Sequence, residues 1–383
     1  MNRLVIIVRL LVEEFMAHCW LKWLKQAHRP GALFITGCCI ALAGLVSGPV
    51  EAVGERFDVS QIDDSPRIRD VQYPDWFKNS FLDLNEDLDE AFADGKRGLV
   101  VYFGQKDCAY CEALMQVNFG RETDIVEYTQ RHFDIVPIDI WGSREVTDFA
   151  GNVLTEKDFA IANQANFTPS LIFFGADGQK LLQLRGYYTP YKLRAALEYV
   201  VDGHYRNQTL RQYMALADPP DLDPQNAMNA QAFFRKPPYV LDRSSFAGQK
   251  PLAVFFEQRS CHACDVLHTE PLQDPATRRL LDGFEVVQVD MWSETPLINP
   301  AGERLTARQW ARQLGLFYAP SILFFDERGQ EIIRVSSVVR VFRLRGVLEY
   351  VLNRGYLEAP TFQRWREQQS LLPATGNAKQ QVP

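Results

Sequence analysis

Residues 99–200 and 252–351 are two copies of one sequence, and this duplication constrains the fold more than any other feature of the 383-residue chain. Leu99-Val-Val-Tyr-Phe-Gly-Gln-Lys-Asp-Cys108 matches Leu252-Ala-Val-Phe-Phe-Glu-Gln-Arg-Ser-Cys261. Asp139-Ile-Trp141 matches Asp290-Met-Trp292, and Thr168-Pro-Ser-Leu-Ile-Phe-Phe174 matches Ala319-Pro-Ser-Ile-Leu-Phe-Phe325. Leu193-Arg-Ala-Ala-Leu-Glu-Tyr-Val200 matches Leu344-Arg-Gly-Val-Leu-Glu-Tyr-Val351. A period of about 150 residues is too long for a solenoid repeat and is the size of a whole domain. The chain is therefore a tandem duplication.

Within the first copy, Leu84, Leu88 and Phe92 at four-residue spacing predict a helix over 83–95. Short apolar runs predict strands over 99–103, 133–138, 171–174 and 180–184, and helices are expected over 156–163 and 191–201. An irregular insertion is expected before the helix at 156. Strand–helix–strand order makes a parallel pair, whereas the Asp177-Gly178 turn joins an antiparallel hairpin. Each copy then reads as an α/β domain with a central mixed sheet flanked by helices.

Four of the seven cysteines lie in these copies, as Cys108-Ala-Tyr-Cys111 and Cys261-His-Ala-Cys264. Each pair follows a strand and opens a helix. There the free backbone N–H groups and the positive end of the helix dipole favour a thiolate. A second thiol one turn later can capture the first as a disulfide, so both sites point to dithiol–disulfide chemistry. Zinc is disfavoured because the two pairs stand far beyond the ~15–20 residues that separate pairs in zinc ribbons. Haem attachment needs His after the second cysteine, where Glu112 and Asp265 stand.

Both copies resemble the thioredoxin superfamily, through the Cys-x-x-Cys after a strand and through Thr168-Pro169 and Ala319-Pro320. The resemblance implies two tandem thioredoxin-like domains with a cis proline against each disulfide. Thr168, Pro169, Ala319 and Pro320 would then contact substrate, because the carbonyl and N–H before such a proline can pair with an extended chain. Tyr110 and His262, inside the pairs, are further expected substrate contacts. The Trp-rich insertion, Tyr73-Pro-Asp-Trp-Phe-Lys78 and Gly95-Lys-Arg-Gly98 look like exported periplasmic thioredoxins associated with bacterial sulfur oxidation. Two departures stand out. Asp107 and Ser260 precede the pairs where the family has Trp, and Tyr102 and Phe255 replace the buried carboxylate six residues before the first cysteine.

Cys108 and Cys261 are accordingly the expected exposed nucleophiles, with Cys111 and Cys264 resolving the mixed disulfide. His262 and Arg259 beside Cys261, against Asp107 and Glu112 beside Cys108, predict that the second site is the more oxidising and receives electrons from the first. Trp141 and Trp292 read as packing over the sheet edge, and Asp139 and Asp290 as caps of the strand-to-loop corner. No flavin or nucleotide motif is present, so no cofactor is expected. Electrons would come from a membrane thiol-electron transporter, and the substrates would be protein thiols or disulfides. The alternatives are a copper or metal-handling carrier using His262 or His268, and a non-catalytic binding scaffold.

Residues 31–50 form an uncharged, mostly apolar run preceded by Lys22, Lys25 and Arg29. They predict a signal peptide or membrane anchor within 1–52, with export of the remainder and membrane contact only through 31–50. A net charge of −7 and the lack of a basic stripe interleaved with aromatics argue against nucleic-acid binding. The expected organisation continues as an N-terminal extension (53–79), domain one (80–216), a Pro-rich spacer (217–238), domain two (239–360) and a polar tail (361–383), disordered from Gln368.

Overall fold

The apolar run before each cysteine pair becomes a central strand buried on both faces. A computed structural model describes residues 57–371, Pro224 excepted, and the leader expected over 1–52 lies outside these residues. Helix α1 (Leu84–Ala93) starts at Asp83, whose carboxylate accepts from the Asn85 and Glu86 N–H groups. It leads to β1 (Gly98–Gly104) and α2 (Ala109–Ala113), which runs on in wider turns through Leu114–Arg121. Then come α3 (Thr123–His132), β2 (Phe133–Asp139), the small hairpin β3 (Glu145–Thr147) and β4 (Val153–Thr155), and α4 (Glu156–Ala162). Strands β5 (Ser170–Phe174) and β6 (Lys180–Arg185) and helix α5 (Pro190–Val201) close the unit. The sheet runs β2-β1-β5-β6, parallel between β1 and β2 and antiparallel elsewhere. Val100 and Tyr102 feed the core on one face, Leu99, Val101 and Phe103 that on the other, as the two-residue strand period requires.

The second unit follows α6 (Leu210–Ala217) and a short β7 (Tyr239–Val240). It contains β8 (Leu252–Glu257), α7 (His262–Thr269), α8 (Pro275–Leu281), β9 (Glu285–Asp290), β10 (Pro296–Ile298), β11 (Arg304–Thr306), α9 (Ala307–Gln313), β12 (Ser321–Phe325), β13 (Glu331–Val335) and α10 (Val341–Leu352). Its sheet order, β13-β12-β8-β9, repeats the first. Three sequence expectations are corrected. The irregular insertion is the β3–β4 hairpin, and a helix absent from the sequence reading, α3 or α8, stands between each cysteine helix and the next strand. The expected polar tail begins with α11 (Phe362–Leu371), which buries Phe362 and Trp365 in the second core.

The spacer, whose prolines and acids favour an extended and semi-rigid chain, is held against the second unit. Ser260 donates to Asp221, Arg259 donates to the Leu222 and Asp223 carbonyls, and Gln288 donates to the Asn229 carbonyl. Phe234 then packs on Phe255 just as Phe77, in the N-terminal extension, packs on Tyr102. The extension and the spacer are equivalent parts of the repeat, each packing a phenylalanine on the central strand of its own unit.

The two units dock through matched positions, with pseudo-twofold reciprocity. Val338 N–H donates to the Tyr187 carbonyl at 3.1 Å, and these residues occupy the same place in each copy. Gly186 (φ 94°) approaches Ser337 so closely that a Cβ would lie 2.0 Å from its hydroxyl, and both facts demand glycine. Phe167 inserts into the second core beside Phe362, while Tyr318 inserts into the first beside Tyr188. Arg211 on α6 stacks on Trp292 at 3.7 Å and donates to the Met291 carbonyl; Arg364 on α11 stacks on Trp141 at 3.9 Å and donates to the Ile140 carbonyl. Burial, then Arg308 and Arg312, pushes Arg211 down to about 10. Each copy's last helix thus packs on its own core and sends one arginine to the other copy.

Candidate active sites

Strand β1 ends at Gly104, and after three intervening residues the chain reaches Cys108, the N-cap of α2. The Cys111 N–H donates to Cys108 Sγ at 3.1 Å, and Cys264 N–H donates to Cys261 Sγ at 3.1 Å. Both pairs are at bonding distance, with S–S 2.15 Å for 108–111 and 2.05 Å for 261–264. Asp107 and Ser260, the residues before each pair, have positive φ (56° and 48°) and turn the chain from strand to helix. The Thr168–Pro169 and Ala319–Pro320 bonds are both cis, as the resemblance implies. Cys108 Sγ lies 3.4 Å from Thr168 Oγ1, and Cys261 Sγ lies 3.7 Å from the Ala319 carbonyl oxygen. At each site the structure therefore brings the cysteine pair together with the residue before the cis proline.

These two arrangements decide the family, because a thioredoxin-like domain model matches residues 84–201 and 244–352, each span holding one cysteine pair and its cis proline. The chain belongs to the thioredoxin-like family. Among solved structures, this thioredoxin-like chain is similar to a thioredoxin-fold protein from Helicobacter pylori, at 21% identity over 36% of this chain and 89% of that one (TM-score 0.31). It is also similar to a thioredoxin from Thermus thermophilus, at 18% identity over 33% and 90% (TM-score 0.27). A third match is the NTD_N/C domain of the alkylhydroperoxide reductase AhpF from Enterococcus faecalis, at 13% identity over 71% and 100% (TM-score 0.23). No curated protein matches the chain in sequence.

Neither nucleophile is freely exposed, contrary to the sequence expectation: Cys108 is 5% and Cys261 9% accessible. Their surroundings differ. Tyr110, expected to touch substrate, is buried and spends its hydroxyl inside the chain. It donates to Asp64 Oδ2 at 2.9 Å and accepts from the Arg340 N–H at 2.9 Å, with Arg343 stacked on its ring at 3.5 Å. Burial pushes its phenol well above the usual tyrosine range. His262 stands in solvent beside Cys261 and pairs with Asp58 at 3.0 Å. The Asp58 carboxyl is held below its usual value first by the Ser60 N–H and then by His262.

These pairings remove the basis for the expected potential difference. Arg69 donates its N–H to Asp107 at 2.7 Å and holds its guanidinium 3.4 Å from Glu112, compensating the acids of site one. Asp58 and Asp290, the latter 3.6 Å from Arg259, compensate the cations of site two. The local charges nearly cancel at both sites, so charge alone no longer orders the two potentials.

The largest asymmetry lies on the central strands that lead to the pairs. Tyr102 fills the first site with a buried hydroxyl that has no partner among the described residues, and Gly104 leaves it room, since a Cβ there would meet that hydroxyl at 2.2 Å. In the second unit Gly104 is replaced by Glu257, fully buried. Its carboxyl lies 3.0 and 3.1 Å from His268 Nε2 and accepts from Gln288 Nε2 at 3.1 Å. The second unit therefore buries a carboxyl on its central strand, two residues beyond Phe255 on the same strand face. His268, whose other ring nitrogen faces Gln231, is committed to this network, whereas His262 faces Asp58. Among the described residues no three His, Cys, Asp or Glu side chains converge as metal ligands.

The repeated Asp139 and Asp290 accept from the N–H of Trp141 and Trp292, capping the corner as expected. Each indole N–H donates to the glutamine after its central strand, Gln105 or Gln258, and Gln105 in turn donates to Thr168 Oγ1 at 2.8 Å. The tryptophans thus brace the cysteine loop from one side while taking the docking arginine on the other. Sequence reasoning missed Arg211, Arg340, Arg343 and Arg364, which carry no local signal. Glu257 did carry one, as the single charged residue ending an apolar strand.

Proposed function

We propose that the protein is an exported thiol–disulfide oxidoreductase that reduces disulfides of client proteins. The observation that carries this reading is that, in both units, a cysteine Sγ caps a helix and accepts the N–H of its own bonded partner. In the reduced form the same N–H and the helix dipole stabilise the thiolate of Cys108 or Cys261. That thiolate attacks one sulfur of a client disulfide, forming a mixed disulfide and expelling the other client sulfur as thiolate. Cys111 or Cys264 gives up its proton and attacks the mixed disulfide, releasing the second client thiolate and leaving the enzyme disulfide. Two electrons pass from the dithiol to the client, whose thiolates take up two protons.

Re-reduction needs a dithiol donor, and a membrane thiol-electron transporter is the proposed source. The apolar run 31–50 supports placement outside the cytoplasm, where disulfide clients are found. The Trp-rich insertion and its flanking phrases support clients in sulfur oxidation that carry a reactive cysteine. Dithiothreitol-driven reduction of insulin tests the reaction: addition of the protein is expected to accelerate it, and a rate equal to that with dithiothreitol alone would contradict the reading.

A further inference from the structure

The two sites are matched in backbone yet differ in what lies on the carbonyl before the cis proline. At site one, Arg343 of α10 donates from Nη2 to the Thr168 carbonyl at 2.7 Å. Its guanidinium is held there by stacking on Tyr110, and Asp64 fixes the start of α10 by accepting the backbone N–H groups of Phe342 and Arg343. Arg343 is 6% exposed and Thr168 fully buried. Site two lacks this arrangement. The position matching Arg343 in the first copy is Lys192, which pairs with Asp218. Among the described residues no nitrogen donates to the Ala319 carbonyl, and Ala319 is half-buried.

A polypeptide disulfide needs that carbonyl, because an extended client segment docks by adding its backbone N–H groups to it. We infer that Arg343 is a specificity-determining residue: it holds the client-backbone position of site one, so that polypeptide clients exchange at Cys261–Cys264, while Cys108–Cys111 reacts with small disulfides that need no backbone pairing. This inference rests on the oxidoreductase reading and adds to it which site meets the client. The contact is part of the domain interface, where Arg340 N–H also holds Tyr110, so a client strand entering site one must displace Arg343 and meet Tyr110 already engaged.

The test uses the full chain with one site disabled at a time. Cys261→Ser/Cys264→Ser leaves site one, and Cys108→Ser/Cys111→Ser leaves site two. Each is assayed for reduction of insulin and of glutathione disulfide, with and without Arg343→Met, which keeps the apolar stem and removes the donors. The site-one protein is expected to reduce insulin about tenfold to a hundredfold more slowly than the site-two protein, the range a charge-assisted hydrogen bond covers. Arg343→Met should raise its insulin rate by a similar factor and its glutathione-disulfide rate much less. Equal insulin rates for the two single-site proteins, or no change with Arg343→Met, would overturn the assignment. Should Arg343→Met not fold, the comparison of small and polypeptide substrates on the single-site proteins still decides, since a ratio common to both sites would overturn it. An inactive site-two protein beside an active site-one protein would likewise overturn the assignment, whereas inactivity of both single-site proteins toward both disulfides would overturn the oxidoreductase reading itself.

Discussion

Replacing Cys108 and Cys261 together by serine is expected to abolish catalysed disulfide exchange. Serine keeps the helix cap, because its hydroxyl accepts the same N–H, but it carries no thiolate at neutral pH. The remaining Cys111 and Cys264 are fully buried and cannot reach a client sulfur. Cys108→Ser alone should leave most insulin reduction, whereas Cys261→Ser alone should leave little, following the difference that Arg343 imposes on the sites. Insulin-reduction rates of the three variants check this. Wild-type turnover in the double variant would place the chemistry elsewhere.

The second large effect is expected at His268. Its ring is 3% exposed and supplies one of the two side chains that donate to the buried Glu257 carboxyl. His268→Leu leaves that carboxyl with Gln288 alone in a site without water access, at a cost of about 3 kcal/mol. Removing both partners relieves the problem, so Glu257→Leu/His268→Leu should be more stable than His268→Leu alone, a coupling that a double-mutant cycle isolates. Urea unfolding reads both numbers. A loss under about 1 kcal/mol for His268→Leu would show that the network contributes little to stability.

The domains and both cysteine sites were legible from the sequence because each depends on local order. A strand of Leu, Val and Phe followed by Cys-x-x-Cys places the thiols at a helix start in any fold that contains them, and repetition of the pattern fixes two copies. The matched Thr168-Pro169 and Ala319-Pro320 likewise marked a shared position before a strand. The helix in the expected tail was readable in part, since Phe362 and Trp365 sit three residues apart on one helical face, but the polar residues after them outweighed that stripe.

Docking was not legible, for a physical reason. Arg211, Arg343 and Arg364 lie on helices where an arginine ordinarily faces solvent, and in each case the opposite copy supplies the carbonyl and ring that bury it. The same applies to Tyr110: its place inside the cysteine pair suggests substrate, whereas Asp64 and the Arg340 N–H claim its hydroxyl first. The buried Glu257 was missed by looking only six residues back from the cysteine, whereas it stands two residues further along the same strand face.

A glutathione redox titration of the full chain, with the cysteines alkylated and weighed at each ratio, tests the central claim most directly. Both Cys108–Cys111 and Cys261–Cys264 are expected to titrate as two-electron couples with midpoints above about −300 mV, in the range of exchanging rather than structural disulfides. Pairs that stay oxidised at every glutathione ratio would make them structural staples and contradict the account.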